Sequence, residues 1–498
     1  MDETEPTATI PVQVKHIIDE LQKNGYEAFV VGGCVRDVLR GIEPKDWDIT
    51  TNAKPEEIQK VFPESFYENK FLTVTVQTGS STPSLEDIEV TTYRLEAKYT
   101  DKRHPDEVRF AKTLREDLAR RDFTINAIAI DVKSKIKNAK LSFVDPFGGQ
   151  EDLKNKIIRA VAKAEERFSE DALRLLRAVR FAVTLASNWK IEQKTSDAIE
   201  KNASLLGFVS KERIRDEFLK IIMSERAADG IELLRTLCLL KYIIPELEEG
   251  YGEKQSKHHI YEVYEHGRLS LQYAAQKNFG QNVRLAALLH DIAKPRTKRG
   301  EGRSATFYGH EIVGAKMTFQ ILERLRFPKK DIEKIVNLVK YHLFYYNVGE
   351  VTESSVRRLV RNAGPENIEE LLQVRMADRI GSGVPKAEPY KLRHLKYVME
   401  KVAQDPINAS MLKVSGDDVM RILNIPAGPK VGQVLDVLLG LVLSDPKKNK
   451  KDFLEKETEK LGGLNDDELK KTAQKAKKDR EQVVIKRDDM TKAKYWVT

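Results

Sequence analysis

The chain has 498 residues, 33% of them charged, with a formal net charge of +8. That length exceeds one hydrophobic core and fits about three or four domains, while the basic surplus suits a polyanionic partner. No apolar run approaches a membrane span, Met1 to Ile10 is polar and acidic, and Cys34 and Cys238 are too few for a disulfide framework, so a cytoplasmic protein without membrane contact is expected.

Val14, Ile17, Ile18 and Leu21 recur at helical spacing, which predicts a helix over 12–24 packed on a sheet that begins at Ala28. Ala28 to Val31 is a short apolar run, and Gly32-Gly33 then allows a sharp turn and close approach of a ligand to the backbone. A short helix carrying Arg36 should follow. Asp46 and Asp48 flank Trp47 in a strand-like alternation, so both carboxylates are expected on one face. Side by side they repel unless a cation lies between them, and hard oxygens at that spacing suit Mg²⁺. Phe71 to Val76 and Ile88 to Arg94 alternate as strands, with Asp87 and Glu89 as candidates for a third carboxylate. The fold class read from this is α+β, a small mixed-sheet head with helices on one side, then an all-α remainder. Turn residues from Tyr99 to Arg109 predict a mobile loop beside the site.

Leu118 to Ala129 opens with charge, including Arg121 and Asp122, and runs into an apolar helix or strand that Asp122 could cap; Asp145 to Gly149 closes the head with a turn. Glu170 to Ala182 reads as one helix with Asp171, Arg174, Arg177 and Arg180 three apart along one ridge. Such a stripe is ordinarily a salt-bridged surface. An aspartate beside an arginine can also read bases: cytosine N4 and adenine N6 donate, cytosine N3 and adenine N1 accept, and uracil and guanine present the reverse.

From about Met223 the pattern is helical with histidines at intervals. His266, His290-Asp291, His310, His342 and Asp378 come from separate predicted helices. Imidazoles and carboxylates gathered in this way suit a hydrolytic transition-metal site. Beyond Pro389 further helices start near Gly416 and Pro426, and the lysine-rich end reads as a mobile basic arm or frayed helix.

Gly-Gly-x-Val-Arg-Asp at 32–37, with Asp46 ten residues after Arg36, resembles the head motif of class II nucleotidyltransferases, the bacterial CCA-adding enzymes and poly(A) polymerases. The Arg-Arg-Asp-Phe-Thr-x-Asn-Ala block at 120–127 and the 170–182 segment fit the same family, as does the Lys211 to Glu217 neck motif, expected to brace its neighbouring helix. Leu72 departs from the family's usual Gly. The resemblance implies that Asp46 and Asp48 hold Mg²⁺ and are catalytic. It places Gly33, Arg36, Arg121 and Asp122 at the nucleotide, with Arg121 on phosphate and Asp122 on ribose. Asp171 and Arg174 then select the base, and Arg177 and Arg180 complete the pocket. The histidine order resembles the HD phosphohydrolase superfamily in its version with ligands for two metals.

The implied domains are a nucleotidyltransferase head at 1–150, a helical neck at 151–224, an HD domain at 225–395, a helical RNA-binding region at 396–462 and a charged tail at 463–498. The implied activity is Mg²⁺-dependent addition of C and A to tRNA 3′ ends from CTP and ATP, with HD hydrolysis as a further candidate. Its rivals are a poly(A) polymerase, a CC- or A-adding enzyme, an HD phosphohydrolase with a degenerate head, and a basic RNA-binding protein without turnover.

Overall fold

Period-two alternation in the first third of the chain produces a seven-stranded sheet whose helices lie on both faces. In the computed structural model the described residues are 10–68, 73–97, 107–132, 141–255, 260–301, 304–403 and 409–497. Contacts divide the chain into two units, residues 1–342 with 370–385, and residues 343–369 with 386–498.

In the first unit, helix α1 (Val12–Lys23) buries Val14, Ile17, Ile18 and Leu21, the expected stripe. Strand β1 (Ala28–Val31) leads through Gly32 into α2 (Gly33–Leu39), and β2 (Asp48–Thr51) and α3 (Pro55–Val61) follow. Next come β3 (Ser65–Glu68), β4 (Thr73–Gln77), α4 (Pro83–Glu86) and β5 (Asp87–Thr92). A hairpin of β6 (Arg94–Ala97) and β7 (Glu107–Phe110) precedes α5 (Leu114–Ala119), β8 (Ala129–Asp131) and β9 (Ser142–Val144). The sheet order is β3-β4-β5-β2-β1-β8-β9, with β2 and β5 parallel and the other pairs antiparallel.

Val30, Ile49, Val74, Val90 and Ile130 pack with α1 and α3 on one face. Val31 and Ala129 point the opposite way and pack with Leu114 and Leu118 of α5. Helices on both faces correct the one-sided expectation. Asp46 lies in an exposed bend before β2, so only Asp48 of the pair is in the strand. Phe71, Leu72 and residues 99–106 of the expected loop lie outside the described residues.

The chain continues with α6 (Gly149–Asn155), α7 (Ala164–Glu170), α8 (Leu173–Thr184), α9 (Gln193–Asn202), α10 (Lys211–Ile222) and α11 (Ala227–Thr236). The single helix expected over 170–182 is broken. Asp171 is extended between α7 and α8, and its Oδ1 accepts from Leu173 N at 3.0 Å, capping α8 as aspartate does at helix starts. Helices α12 (Val263–Gln276), α13 (Gln281–Leu289), α14 (Lys294–Thr297), α15 (His310–Arg324) and α16 (Lys329–Tyr341) complete this unit, with the Glu370–Pro385 segment.

The second unit holds α17 (Glu353–Ala363) and, after α18 (Ile368–Gly381) has returned the chain to the first unit, α19 (Tyr390–Ala403), α20 (Gly416–Leu423), α21 (Pro429–Ser444), α22 (Lys451–Gly462) and α23 (Asp466–Tyr495). The lysine-rich end is therefore helical rather than a loose arm. Leu454, Leu461, Leu469 and Ala473 enter a core with Val434 and Leu438, and Asn465 caps α23 by accepting from Glu468 N at 2.8 Å.

Candidate functional site

Gly32 has φ +86°, a conformation that glycine adopts without strain, and a Cβ there would lie 3.0 Å from Arg121 Nη1 and 3.1 Å from Asp48 Oδ2. The turn thus presses backbone against a carboxylate and a guanidinium. Asp48 is partnered in parallel register with Glu89, which puts both side chains on one face. Burial pushes the Asp48 carboxyl up to about 6; Arg121 opposes this, while Asp46 and Glu89 add to it. Asp46 and Glu89 thus each act on Asp48, and carboxylates are hard oxygen donors of the kind that suits a divalent cation. Sequence spacing alone left Glu89 level with Asp87, and the strand register separates them. Asp87, two residues earlier at the start of β5, is paired with Gln77 of β4 but lies before the register with β2 begins.

Arg121 is anchored from behind. Asp117 is fully buried, accepts from Arg120 Nε at 2.9 Å and from Thr50 Oγ1 at 3.2 Å, and lies 3.6 Å from Arg121 Nη2. Asp122 is buried too. Its Oδ1 accepts from Phe123 N at 2.8 Å and Asn126 Nδ2 at 3.1 Å, and its Oδ2 accepts from Arg177 Nε at 2.8 Å. Burial works to raise its pKa, and Arg177, Asn126 and Arg174 outweigh it, holding the carboxyl well below the usual range. Asn126 Oδ1 in turn accepts from Arg36 Nη1 at 2.9 Å, so Arg36, Asp122 and Arg177 form one linked set.

Arg174 is buried, donating to Glu170 Oε2 at 2.7 Å, Arg167 O at 3.1 Å and Arg120 O at 2.9 Å. Asp171 Oδ2 accepts from Arg213 Nη2 at 2.7 Å, and Arg180 pairs with Glu217 at 3.3 Å. The Lys211 to Glu217 stretch therefore braces the 170–182 segment through two ion pairs.

The six residues of the expected second site all come together in the first unit. His266 Nε2 lies 2.9 Å from His290 Nε2, 3.1 Å from Asp291 Oδ2 and 3.4 Å from Asp378 Oδ1. His310 Nε2 is 3.2 Å and His342 Nε2 3.7 Å from Asp291 Oδ1. Nδ1 of His290, His310 and His342 lies 2.9, 2.7 and 2.7 Å from the carbonyl oxygens of Ala287, Phe307 and Val339. A carbonyl only accepts, so Nδ1 carries the proton and each Nε2 is turned inward as a metal ligand would be. Burial works against a charged His290, yet Asp291 and Asp378 win and push it up to about 10. Burial lowers His342, with His290 and His310 adding to the effect and Asp291 opposing it. The imidazoles and carboxylates form two triplets that share His290, His266-His290-Asp378 and His290-Asp291-His342, a donor set that fits a divalent transition metal. Lys294 Nζ, 2.6 Å from Asp291 Oδ2 and buried, was missed in the sequence, although its spacing of three from Asp291 was the available signal.

Residues 28–159 match the poly A polymerase head domain, 188–250 the probable RNA and SrmB-binding site of polymerase A, and 257–382 the HD domain. A CCA-adding enzyme of Lactococcus lactis is 46% identical over 49% of this chain and 58% of its own length, so the alignment spans little more than half of that relative. An A-adding tRNA nucleotidyltransferase of Deinococcus radiodurans is 34% identical over 82% of this chain and 90% of its own. A CCA-adding enzyme of a Geobacillus species is 32% identical over 88% and 93%. The crystal structure of the Bacillus stearothermophilus CCA-adding enzyme in complex with CTP matches with a TM-score of 0.55 and 28% identity, covering 90% of this chain and 97% of that one.

Proposed function

The chain belongs to the family of CCA-adding enzymes and A-adding tRNA nucleotidyltransferases, and from that premise we propose that it adds C and A to tRNA 3′ ends from CTP and ATP. The observation that carries the reading is the Gly32 turn against Asp48, with Glu89 in register beside it and Arg121 opposite.

Asp46 and Asp48, helped by Glu89, would hold a divalent cation, Mg²⁺ in this reading, which when bound makes the 3′ hydroxyl more nucleophilic and offsets charge on the α-phosphoryl group. The rest falls to the chain's own groups. Gly32 and Gly33 let the triphosphate approach the backbone, and Arg121 faces its charge. Asp122, held ionised by Arg177, accepts from the ribose. Asp171 accepts from the amino group of C or A while Arg174 donates to the ring nitrogen, so base choice needs no nucleic-acid template. Arg36, Arg177 and Arg180 complete the nucleotide pocket. One O–P bond forms on the tRNA 3′ oxygen as the bond to pyrophosphate breaks, and positioning with electrostatics supplies the catalysis.

The second reading is a dedicated A-adder, favoured by the long match to the Deinococcus relative. The buried histidine–aspartate cluster supports a separate metal-dependent phosphohydrolase activity held by His266, His290, Asp291, His310, His342 and Asp378. No described helix is long and apolar enough to cross a membrane, and a cytoplasmic place of action follows from a tRNA substrate.

Labelled CTP and ATP offered with Mg²⁺ to transcripts ending before CCA, after CC and after CCA test the reading. C on the first, A on the second and nothing on the third are expected. Addition of A alone means an A-adder, long A tails mean a poly(A) polymerase, and no incorporation overturns the assignment.

A further inference from the structure

Three arginines of the nucleotide pocket share one support. Phe181 lies within α8, 6% exposed, and three guanidinium groups gather at its ring. The Cζ atom of Arg180 is 4.2 Å from the ring centroid, and those of Arg36 and Arg177 are each 5.4 Å away. Phe123 meets the same ring edge to face, with centroids 5.7 Å apart at 84°, and fixes its plane. Arg177 and Arg180 come from the ring's own helix. Arg36 comes from α2, directly after the Gly32 turn, so the ring joins the neck to the head.

Three like charges this close repel one another. Burial and the neighbouring Arg177 depress the pKa of Arg180, with Arg36 adding to the effect and Glu217 and Asp122 opposing it. Each guanidinium has its own carboxylate: Asp37 at 2.9 Å from Arg36, Asp122 at 2.6 Å from Arg177, and Glu217 at 3.3 Å from Arg180. These carboxylates lie on separate elements and would draw the cations apart. Arg180 is the least well held by ion pairing. Its Nη1 contact to Glu217 Oε1 is long at 3.4 Å, and its Nε is buried without a hydrogen bond. The negative face of an aromatic ring attracts several cations at once and does so without using any hydrogen-bond donor, so it adds to the ion pairs and hydrogen bonds these arginines already make.

We propose that Phe181 is a positioning residue whose π face holds Arg36, Arg177 and Arg180 as one cradle for the triphosphate and ribose of the incoming nucleotide. The proposal rests on the nucleotidyl-transfer reading above. It makes Phe181 act on every nucleotide alike, because base choice belongs to Asp171 and Arg174.

The test places phenylalanine and its mono-, di- and trifluorinated analogues at 181 in the full chain. Fluorination keeps the ring's shape while removing its negative face. Kd for CTP and for ATP, with KM, kcat and thermal midpoint, are then measured. Kd and KM should rise stepwise to roughly tenfold over the series, with kcat, the CTP-to-ATP ratio and the midpoint little changed. F181L should match the trifluorinated protein in affinity, and F181Y should restore most of the binding. A flat series in a protein that binds CTP and ATP normally overturns the proposal and leaves the transfer reading standing. Failure of the unsubstituted protein to bind either nucleotide overturns both.

Discussion

Asp48 on β2 and Glu89 on β5 stand opposite each other in the one parallel pairing of the main sheet, so their carboxylates leave the same face. This relationship sets Glu89, rather than Asp87, directly beside Asp48. Replacing it with Gln keeps the shape and removes the charge. The expected outcome is roughly a 10–100-fold loss of nucleotide addition, with apparent Mg²⁺ affinity weakened in parallel. Steady-state rates across a Mg²⁺ titration check it; an unchanged titration would remove Glu89 from the site.

The cation and protons should compete at Asp48. Its pKa is raised from the ordinary carboxyl value to about 6, by burial first, with Asp46 and Glu89 adding and Arg121 opposing. A raised pKa means that the protonated form is favoured in the folded state. Its stabilising contribution is complete at acid pH, below the unfolded value, and is lost as pH rises through about 6. A bound cation should restore stability above that point. The Mg²⁺-induced rise in melting temperature should therefore be larger at about pH 7.5 than at about pH 5. Calorimetric scans at both pH values with and without Mg²⁺ read this directly, and equal shifts would contradict it.

Arg213 holds Asp171 at 2.7 Å through Oδ2, the carboxylate oxygen that does not cap α8. Arg213→Ala should leave Asp171 free to rotate and relax base choice. UTP and GTP incorporation should rise by about tenfold relative to CTP, the ratio expected from losing about 1.4 kcal/mol of discrimination. Competition assays with paired nucleotides would show it. A fall in all four nucleotides together would mean that Arg213 supports only the fold.

The two metal sites should be separable. His290 is common to both candidate ligand triplets of the histidine cluster. His290→Ala should remove phosphatase or phosphodiesterase activity, with a loss of about 100-fold or more, while nucleotide addition stays within about twofold. Parallel assays on one preparation decide it, because joint loss of both activities would show a single coupled centre or a folding defect.

Much of this was legible in the chain because motifs record local geometry. Gly32-Gly33, Arg36, Asp48 and the Arg121-Asp122 block are each marked by residue types at short fixed spacing, although the contacts they make, such as Arg36 with Asn126 and Asp122 with Arg177, are long-range. All six residues of the histidine cluster could be picked by type, since few alternatives to buried metal ligation explain imidazoles arranged at the ends of apolar helices. Glu89 could not be told from Asp87, because the choice depends on the register of β2 against β5. Ridge periodicity hid the break at Asp171, where a cap hydrogen bond to Leu173 N outweighs helix continuation. The C-terminal helix was hidden by its charge: its apolar positions are few, yet Leu469 and Ala473 find a partner in α21. Phe181 carried no signal in the sequence, since the arginine that makes it a junction arrives from α2.

The central claim is that the carboxylate pair beside the Gly32 turn performs transfer to tRNA. Single-turnover addition of labelled C to a transcript ending before CCA, by the unsubstituted protein and by Asp48→Ala, tests it most directly. The account predicts addition by the first and a loss of about 1,000-fold or more in the second, with CTP still bound. Addition by Asp48→Ala at the full rate would contradict it.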